Sequence, residues 1–443
     1  MCRIKSLKGS GDANMLERKI AKHLEQWKGK KRKKALLVAG ARQTGKTYSI
    51  RQFGKEKYEV FIEINFKEDK SAADIFSNVS VAYALIANLT AYTGTSLKSG
   101  KTLIFLDEIQ ECPQARAAVR LLVKDGRYDC IEAGVVDDVL EYEEKYFMRA
   151  LDAEEFMYAN GIKSAAIDYV RDCFEQRWAV SGSAHEMLKR IFGYYVVVGG
   201  MPEAVQVFID THDMGKVTQV HKRILQLQRQ DIEKMRNVSK TEKTKMNKIL
   251  DFVPTELNKP NKRFLLADIR KSARMERYEN SLNRLADIGL TLPCYYVSEP
   301  KNPLEESEKR NLFKLYLADS GLLCAMSPDN MQFGIMQNKF EAGMESILEN
   351  TFAGILTANG FAIRYYNEKN KGELDFLIQK GEEVIPIEIR SEDNYKSHQA
   401  LDYVLGNKDW GMEYGIVFCD RNVEKEGNIY YMPWYMVMFL RDV

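Results

Sequence analysis

Eight residues, Gly40-Ala41-Arg42-Gln43-Thr44-Gly45-Lys46-Thr47, constrain this chain more than any other stretch. They fill every fixed position of the pattern G-x-x-x-x-G-K-[ST], a glycine loop whose backbone N–H groups cradle a phosphate. The flanks fit that pattern. Ala35-Leu36-Leu37-Val38-Ala39 is a short apolar run, as expected of a buried parallel strand, and helical sequence follows Thr47. A helix starting at the loop turns the positive end of its dipole toward a bound anion. In this frame Gly40, Ala41, Arg42, Gln43, Thr44 and Gly45 line the phosphates of ATP, Lys46 reaches the β- and γ-phosphates, and the Thr47 hydroxyl ligates Mg2+. A chance glycine loop is the competing reading, and the strand and helix on either side weigh against it.

A second motif answers the first. Thr102-Leu103-Ile104-Phe105-Leu106 ends in Asp107-Glu108, about sixty residues beyond the loop. Strands often end in acids, so the pair alone says little; with the glycine loop it reads as a Walker B strand. Asp107 is expected to hold Mg2+ through water, and Glu108 to polarise the attacking water as general base. The catalytic expectation is Glu108 with Lys46. Both motifs are expected to end neighbouring strands on the ligand-binding edge of one parallel sheet.

Composition narrows the class. With 443 residues the chain has room for two or three domains. It is 45% hydrophobic and 29% charged, the balance of an ordinary globular protein, and a net charge of +2 carries no polyanion-binding signature. Seven cysteines lie scattered without a C-x-x-C pair, which favours reduced thiols in the cytoplasm over structural zinc. No apolar run reaches the roughly 18 to 20 residues of a membrane span. The opening residues are polar, so no secretory leader is expected.

Elsewhere the pattern is more local. Residues 1–14 read as a disordered tail, and Met15 opens a helix with Leu16, Ile20 and Leu24 on one face. The basic run around Gly29, from Lys28 to Lys34, invites a nucleic-acid reading, although a solvated turn before a buried strand explains it better. Tyr58 to Phe66 reads as a second strand, Pro113 to Leu122 as a helix and Tyr128 to Val135 as a further strand. Met246 to Val253 reads as a helix ended by Pro254, Arg274 to Ile288 as a second helix, and Leu290 to Val297 as β-type sequence, an order that suits a winged helix. Arg274, Arg277 and Arg284 share the later helix with Glu276 and Glu279, so DNA contact and protein contact remain open.

Near the end, Phe340 to Leu356 reads as a helix bearing Glu345 and Glu349, and residues 372–378 and 383–390 read as a hairpin that sets Asp375 and Glu388 on neighbouring strands. This spacing resembles the PD-(D/E)XK nuclease core, in which such acids, with Glu349 from the helix, form a second metal site. Arg390 stands at the lysine position, and arginine is a poor proton acceptor. A divergent nuclease and a nuclease-shaped fold kept for binding both stay open.

The loop octapeptide, Phe105 to Pro113, Leu151 to Phe156, Gly199 to Val205, Lys314 to Leu323 and Pro386 to Ile389 follow one another in this order. In them the chain resembles a prokaryotic family of AAA-type P-loop ATPases that end in an uncharacterised nuclease-like domain. The resemblance spans nearly the whole chain from Met15. One departure matters: the family usually has Glu-Ser/Thr-Gly-Ser where this chain has Glu132-Ala133-Gly134-Val135. The resemblance implies a polar residue near this strand end that orients the attacking water. Its loss slows chemistry by around a hundredfold, unless another residue supplies the contact. Arg223, Arg229 and Arg236 are candidates for an arginine finger acting on a neighbouring subunit.

The expected fold is α/β: a P-loop parallel sheet with a helical lid over residues 15–205, a winged-helix region over 206–305 and a nuclease-like α/β domain over 306–443. The expected function is an ATP-driven, Mg2+-dependent switch acting on nucleic acid. The alternatives are a nucleotide-gated protein-interaction module with weak turnover, and a metal-dependent nuclease. Whether the chain forms a homo-oligomer is left open.

Overall fold

The computed structural model describes residues 16–136, 138–235, 238–327, 345–391 and 394–442. The tail, Met15, Arg236 and the first turn of the helix expected from Phe340 fall outside them. The chain divides into two compact units, Met1–Arg149 and Ala150–Val443.

The first unit is built on five parallel strands in the order β2-β3-β4-β1-β5: β1 (Ala35–Ala39), β2 (Val60–Asn65), β3 (Thr102–Asp107), β4 (Asp129–Gly134) and β5 (Glu143–Phe147). Every residue of β1 and β3 is buried, as their unbroken apolar runs require. Helices Lys46–Lys57, Ala82–Thr93 and Pro113–Asp125 pack with the sheet. Pro113 opens the last of these at a position where its missing N–H costs nothing, and Gly126 ends it in the left-handed conformation. The expectation that the two motifs end neighbouring strands is corrected, because β4 lies between β1 and β3. Strand β5 escaped the sequence reading: as an edge strand of sequence EEKYF it buries only Glu143 fully and shows no apolar run.

The second unit joins a helical half to one eight-stranded mixed sheet of order β12-β13-β11-β10-β9-β8-β6-β7. Its strands are β6 (Thr291–Val297), β7 (Glu308–Leu317), β8 (Arg364–Glu368), β9 (Gly372–Lys380), β10 (Glu383–Ile389), β11 (Gly415–Cys419), β12 (Glu424–Glu426) and β13 (Ile429–Pro433). The sequence boundary at 305/306 falls between β6 and β7, which pair antiparallel within this sheet, and the boundary at 205/206 falls inside helix Pro202–Thr211. The helix–turn–helix–strand order is present in Lys240–Leu257, Leu266–Ile269, Met275–Asp287, β6 and β7, but β6 also pairs with β8 in parallel. Pro254 does not end its helix, which runs to Leu257.

The segments Gly199 to Val205 and Lys314 to Leu323, without a role at the sequence level, meet at one buried carboxylate. Asp319 accepts from the Gly200 N–H at 2.7 Å and from the Leu322 N–H at 3.1 Å, capping helix Ser320–Met326. Gly200 packs so tightly that a Cβ there would lie 2.0 Å from the Leu151 carbonyl oxygen. The Gly199-Gly200 turn is therefore a packing joint between helix Gly182–Val198, helix Pro202–Thr211 and the chain after β7.

Candidate functional site

The glycine loop follows β1 and closes at Gly45, whose φ of 96° lies in the left-handed region that glycine tolerates, before helix Lys46–Lys57 begins. Lys46 is buried, and its ammonium donates to the carbonyls of Gly40 at 2.9 Å and Ala41 at 2.7 Å. The Thr44 hydroxyl donates to Ala41 O at 3.0 Å, and Arg18 clamps the loop from outside by donating to Thr44 O at 2.8 Å.

The acid pair Asp107-Glu108 comes up against this loop from the end of β3. The Thr47 hydroxyl donates to Asp107 Oδ2 at 3.0 Å, bringing together two loop- and strand-borne oxygens that tertiary folding alone could align. Asn65, paired with Asp107 in the β2/β3 register, donates to the same oxygen at 3.0 Å. Burial raises the Asp107 carboxyl above its usual range, with the charge of Glu108 adding to the effect, while the Thr47 hydroxyl bond opposes it. Glu108 has φ 53°, a left-handed conformation uncommon for a residue with a Cβ, and its carboxylate accepts from Arg42 at 3.2 Å and Gln110 at 2.6 Å. The donor set fits Mg·ATP. A buried lysine and a helix N-terminus suit phosphate, and a hydroxyl beside a carboxylate suits a hard cation with oxygen ligands.

Ala133 is buried in β4 and Val135 follows the strand, so neither of these side chains carries a hydroxyl. Here the sequence reading missed Gln110 and Asn65. The signal for Asn65 was a polar residue closing an apolar strand, and for Gln110 an amide two residues beyond the acid pair.

In the second unit Asp375 and Glu388 adjoin the paired residues Phe376 and Ile387 of the β9/β10 hairpin, Asp375 just before Phe376 and Glu388 just after Ile387. Asp375 accepts from the Ile389 N–H at 2.8 Å, and Glu388 is paired with Arg390. Burial raises both carboxyls, Glu388 to about 7. Glu349, on helix Glu345–Ala358, is held differently. It accepts from the wholly buried Lys314 at 2.8 Å and is also bonded to Lys262 and the Tyr316 hydroxyl. Burial would raise this carboxyl, but the two ammonium groups hold it below its ordinary range. Lys314 makes a second pair with Glu373 at 2.6 Å. A cavity of about 160 Å3 reaches Lys262, Glu349, Asp375 and Arg390. Among the described residues no three acid, histidine or cysteine side chains converge as a metal-binding group. None of Lys262, Lys314 and Tyr316 was singled out as a site residue from the sequence, because their elements are distant along the chain.

The arginine-finger candidates within the described residues make ion pairs inside this chain: Arg223 with Glu203, and Arg229 with Asp251 at 2.6 Å. Among the described residues six cysteines are free and buried, and no helix is long and apolar enough to cross a membrane.

Comparison with known proteins separates the chain into three stretches. Residues 32–157 match the family model of an AAA domain. Residues 189–332 and 344–437 match two domains of unknown function, DUF8612 and DUF4143. No curated protein matches the sequence. A solved structure that resembles it is a Signal Transduction ATPase with Numerous Domains protein with a tetratricopeptide repeat sensor, from Pyrococcus horikoshii, at 12% identity and a TM-score of 0.28. That likeness covers 78% of this chain and 49% of the other, so the chain spans about half the length of that protein. The glycine loop, the parallel five-stranded sheet and the matched model agree on residues 32–157 as a stretch similar to an AAA domain, which supports a nucleotide-binding, ATPase-like function.

Proposed function

We propose that this protein hydrolyses Mg·ATP at the loop between β1 and helix Lys46–Lys57 and uses the nucleotide cycle as a switch acting on nucleic acid. One observation supports the hydrolysis most: the Thr47 hydroxyl stands 3.0 Å from Asp107 Oδ2, with Glu108 the next residue. Lys46 and the loop N–H groups bind and orient the phosphates. Thr47 and Asp107 hold the metal, Asp107 through water, and Mg2+ supplies charge neutralisation on the β- and γ-phosphates when bound. Glu108 takes the proton of the attacking water.

The nucleic-acid part of the reading rests on the second unit. Exposed Lys271, Arg274 and Arg277 lie on or before helix Met275–Asp287, and exposed Lys309 and Arg310 on β7 border a hollow of about 620 Å3 with Met275. Glu305 and Glu308 also line it, so the surface is mixed in charge. A winged-helix module would present its second helix and strand pair in this way. The C-terminal acids Glu349, Asp375 and Glu388 form part of this proposal only as a nuclease-like frame, since Glu349 is already neutralised by lysines.

The test is steady-state ATP hydrolysis with Mg2+, with and without duplex DNA. Lys46→Ala is expected to lose nucleotide binding, and Glu108→Gln to keep binding while losing about 100-fold or more in kcat. DNA is expected to bind the wild type and change its turnover. Turnover indifferent to DNA, with no DNA bound, sinks the nucleic-acid reading and leaves a nucleotide-gated module whose partner is a protein. ATP bound without turnover sinks the hydrolysis reading.

A further inference from the structure

We propose that Gln110 is a positioning residue that holds the candidate general base Glu108 against the end of β4. The inference rests on the hydrolysis reading above. Gln110 lies in the short 3-10 turn Ile109–Glu111, two residues beyond Glu108. Its amide is engaged at both ends. Nε2 donates to Glu108 Oε2 at 2.6 Å, and Oε1 accepts from the Val135 N–H at 3.3 Å. One side chain thus ties the candidate base to the end of β4, the strand between the glycine-loop strand and the Walker B strand.

The strand end is shaped for this contact. A Cβ on Gly134 would fall 2.2 Å from Gln110 Oε1 and 3.2 Å from Ile109 Cγ2, so glycine leaves the space that the amide fills. The glutamine bond and the Arg42 bond both fall on one carboxylate oxygen of Glu108, Oε2. In the step this serves, a water proton passes to the Glu108 carboxylate as the water oxygen bonds to the γ-phosphorus. The bond from that phosphorus to the β,γ-bridging oxygen breaks, and its electron pair leaves with ADP. Arg42 already pairs with Glu108 Oε2 at 3.2 Å, and the neutral amide adds a second bond to that oxygen that fixes the carboxylate without adding a second charge.

The experiment compares Gln110→Ala and Gln110→Glu with the wild type. Gln110→Ala removes both bonds. Gln110→Glu keeps the acceptor for Val135 and replaces the donor to Glu108 by a like charge. Both variants are expected to lower kcat about 10- to 100-fold, in line with losing a contact that orients the reacting groups. The ATP dissociation constant, measured with and without Mg2+, is expected to stay within about twofold, since the phosphate-binding loop is untouched. Amide hydrogen exchange at Val135 in the nucleotide-free protein is expected to speed up in Gln110→Ala and to remain slow in Gln110→Glu. A merely structural glutamine would tolerate Gln110→Glu, so wild-type kcat in that variant overturns the proposal. Unchanged Val135 exchange in Gln110→Ala overturns it too, as does loss of ATP affinity in step with kcat. Wild-type turnover that is lost in Glu108→Gln but intact in Gln110→Ala removes this inference alone. A wild type that binds ATP without turnover removes the hydrolysis reading and this inference with it.

Discussion

Replacing Glu349 by glutamine decides what the C-terminal acid cluster is. An acid group awaiting a metal is self-repelling, and removing one carboxylate from it relieves strain. A carboxylate that neutralises buried ammonium groups does the reverse. Glu349 is 2% exposed and Lys314 0%, so both charges have left water and depend on each other. Removing one partner of a buried pair typically costs about 3–5 kcal/mol. Two features place Glu349→Gln near the lower end: Lys314 keeps Glu373 at 2.6 Å, and the Lys262 side chain, 18% exposed, retains some access to water. The expected loss is about 3 kcal/mol, which lowers a urea midpoint by roughly 1 M or more. Trp178, Trp410 and Trp434 lie in the same unit and report its unfolding by fluorescence. Lys314→Met is expected to cost a similar amount, and the double variant to cost less than the sum by about 1 kcal/mol or more, because the pair shares one interaction. The pH sign follows from the lowered carboxyl. Its stabilisation is present above the ordinary value of 4.5 and is lost as pH falls below it toward the folded-state value, so wild type and Glu349→Gln converge in acid. An unchanged or higher midpoint for Glu349→Gln at pH 7 refutes the charge-lock account and restores the metal-site reading.

Two further outcomes test the first unit and the helical joint. Glu132 is fully buried in β4, and burial, then the charge of Glu143, raises its carboxyl well above 4.5. The folded chain therefore holds a proton that the unfolded chain releases, stability falls as pH climbs above that value, and Glu132→Gln is expected to be the more stable protein at pH 7 to 8, by on the order of 1 kcal/mol or more, with the gap closing near pH 4 in thermal melts. Gly200→Ala places a Cβ 2.0 Å from the Leu151 carbonyl and is expected to cost about 3 kcal/mol or prevent folding of the second unit, whereas Gly161→Ala, with open space around it, costs only the strain of its left-handed backbone. Equal midpoints for these two variants would remove the packing joint as the reason for that turn.

Local sequence carried the nucleotide site a long way. The octapeptide, its apolar strand and its helix are contiguous, so backbone preference and burial pattern act on neighbours and can be read together. The same holds for the all-buried β3 and for Asp107-Glu108 at its end. Strand β5 could not be read, because an edge strand need bury only one side and its charges mask any period. Pro254 misled for a related reason: a helix held by buried Met246, Ile249, Leu250 and Val253 continues through a proline that propensity alone would make its end.

What required the tertiary structure is every relation between distant segments. The order of strands in the sheet follows from crossovers and not from composition, so β4 entered between the two motif strands unannounced. That placement brings the Val135 N–H to Gln110 and gives the glutamine a partner that sequence spacing does not reveal. In the second unit the hairpin acids were legible from their spacing, while the ammonium groups that neutralise Glu349 arrive from residues 87 and 35 positions away in the chain. By itself, then, the sequence determined that a glycine-loop motif and a paired acid motif exist, because each is a short run whose pattern is local. Only the tertiary structure decided which charges are spent on each other, because the interaction of two buried ions depends on their separation in space, to which distance along the chain is blind.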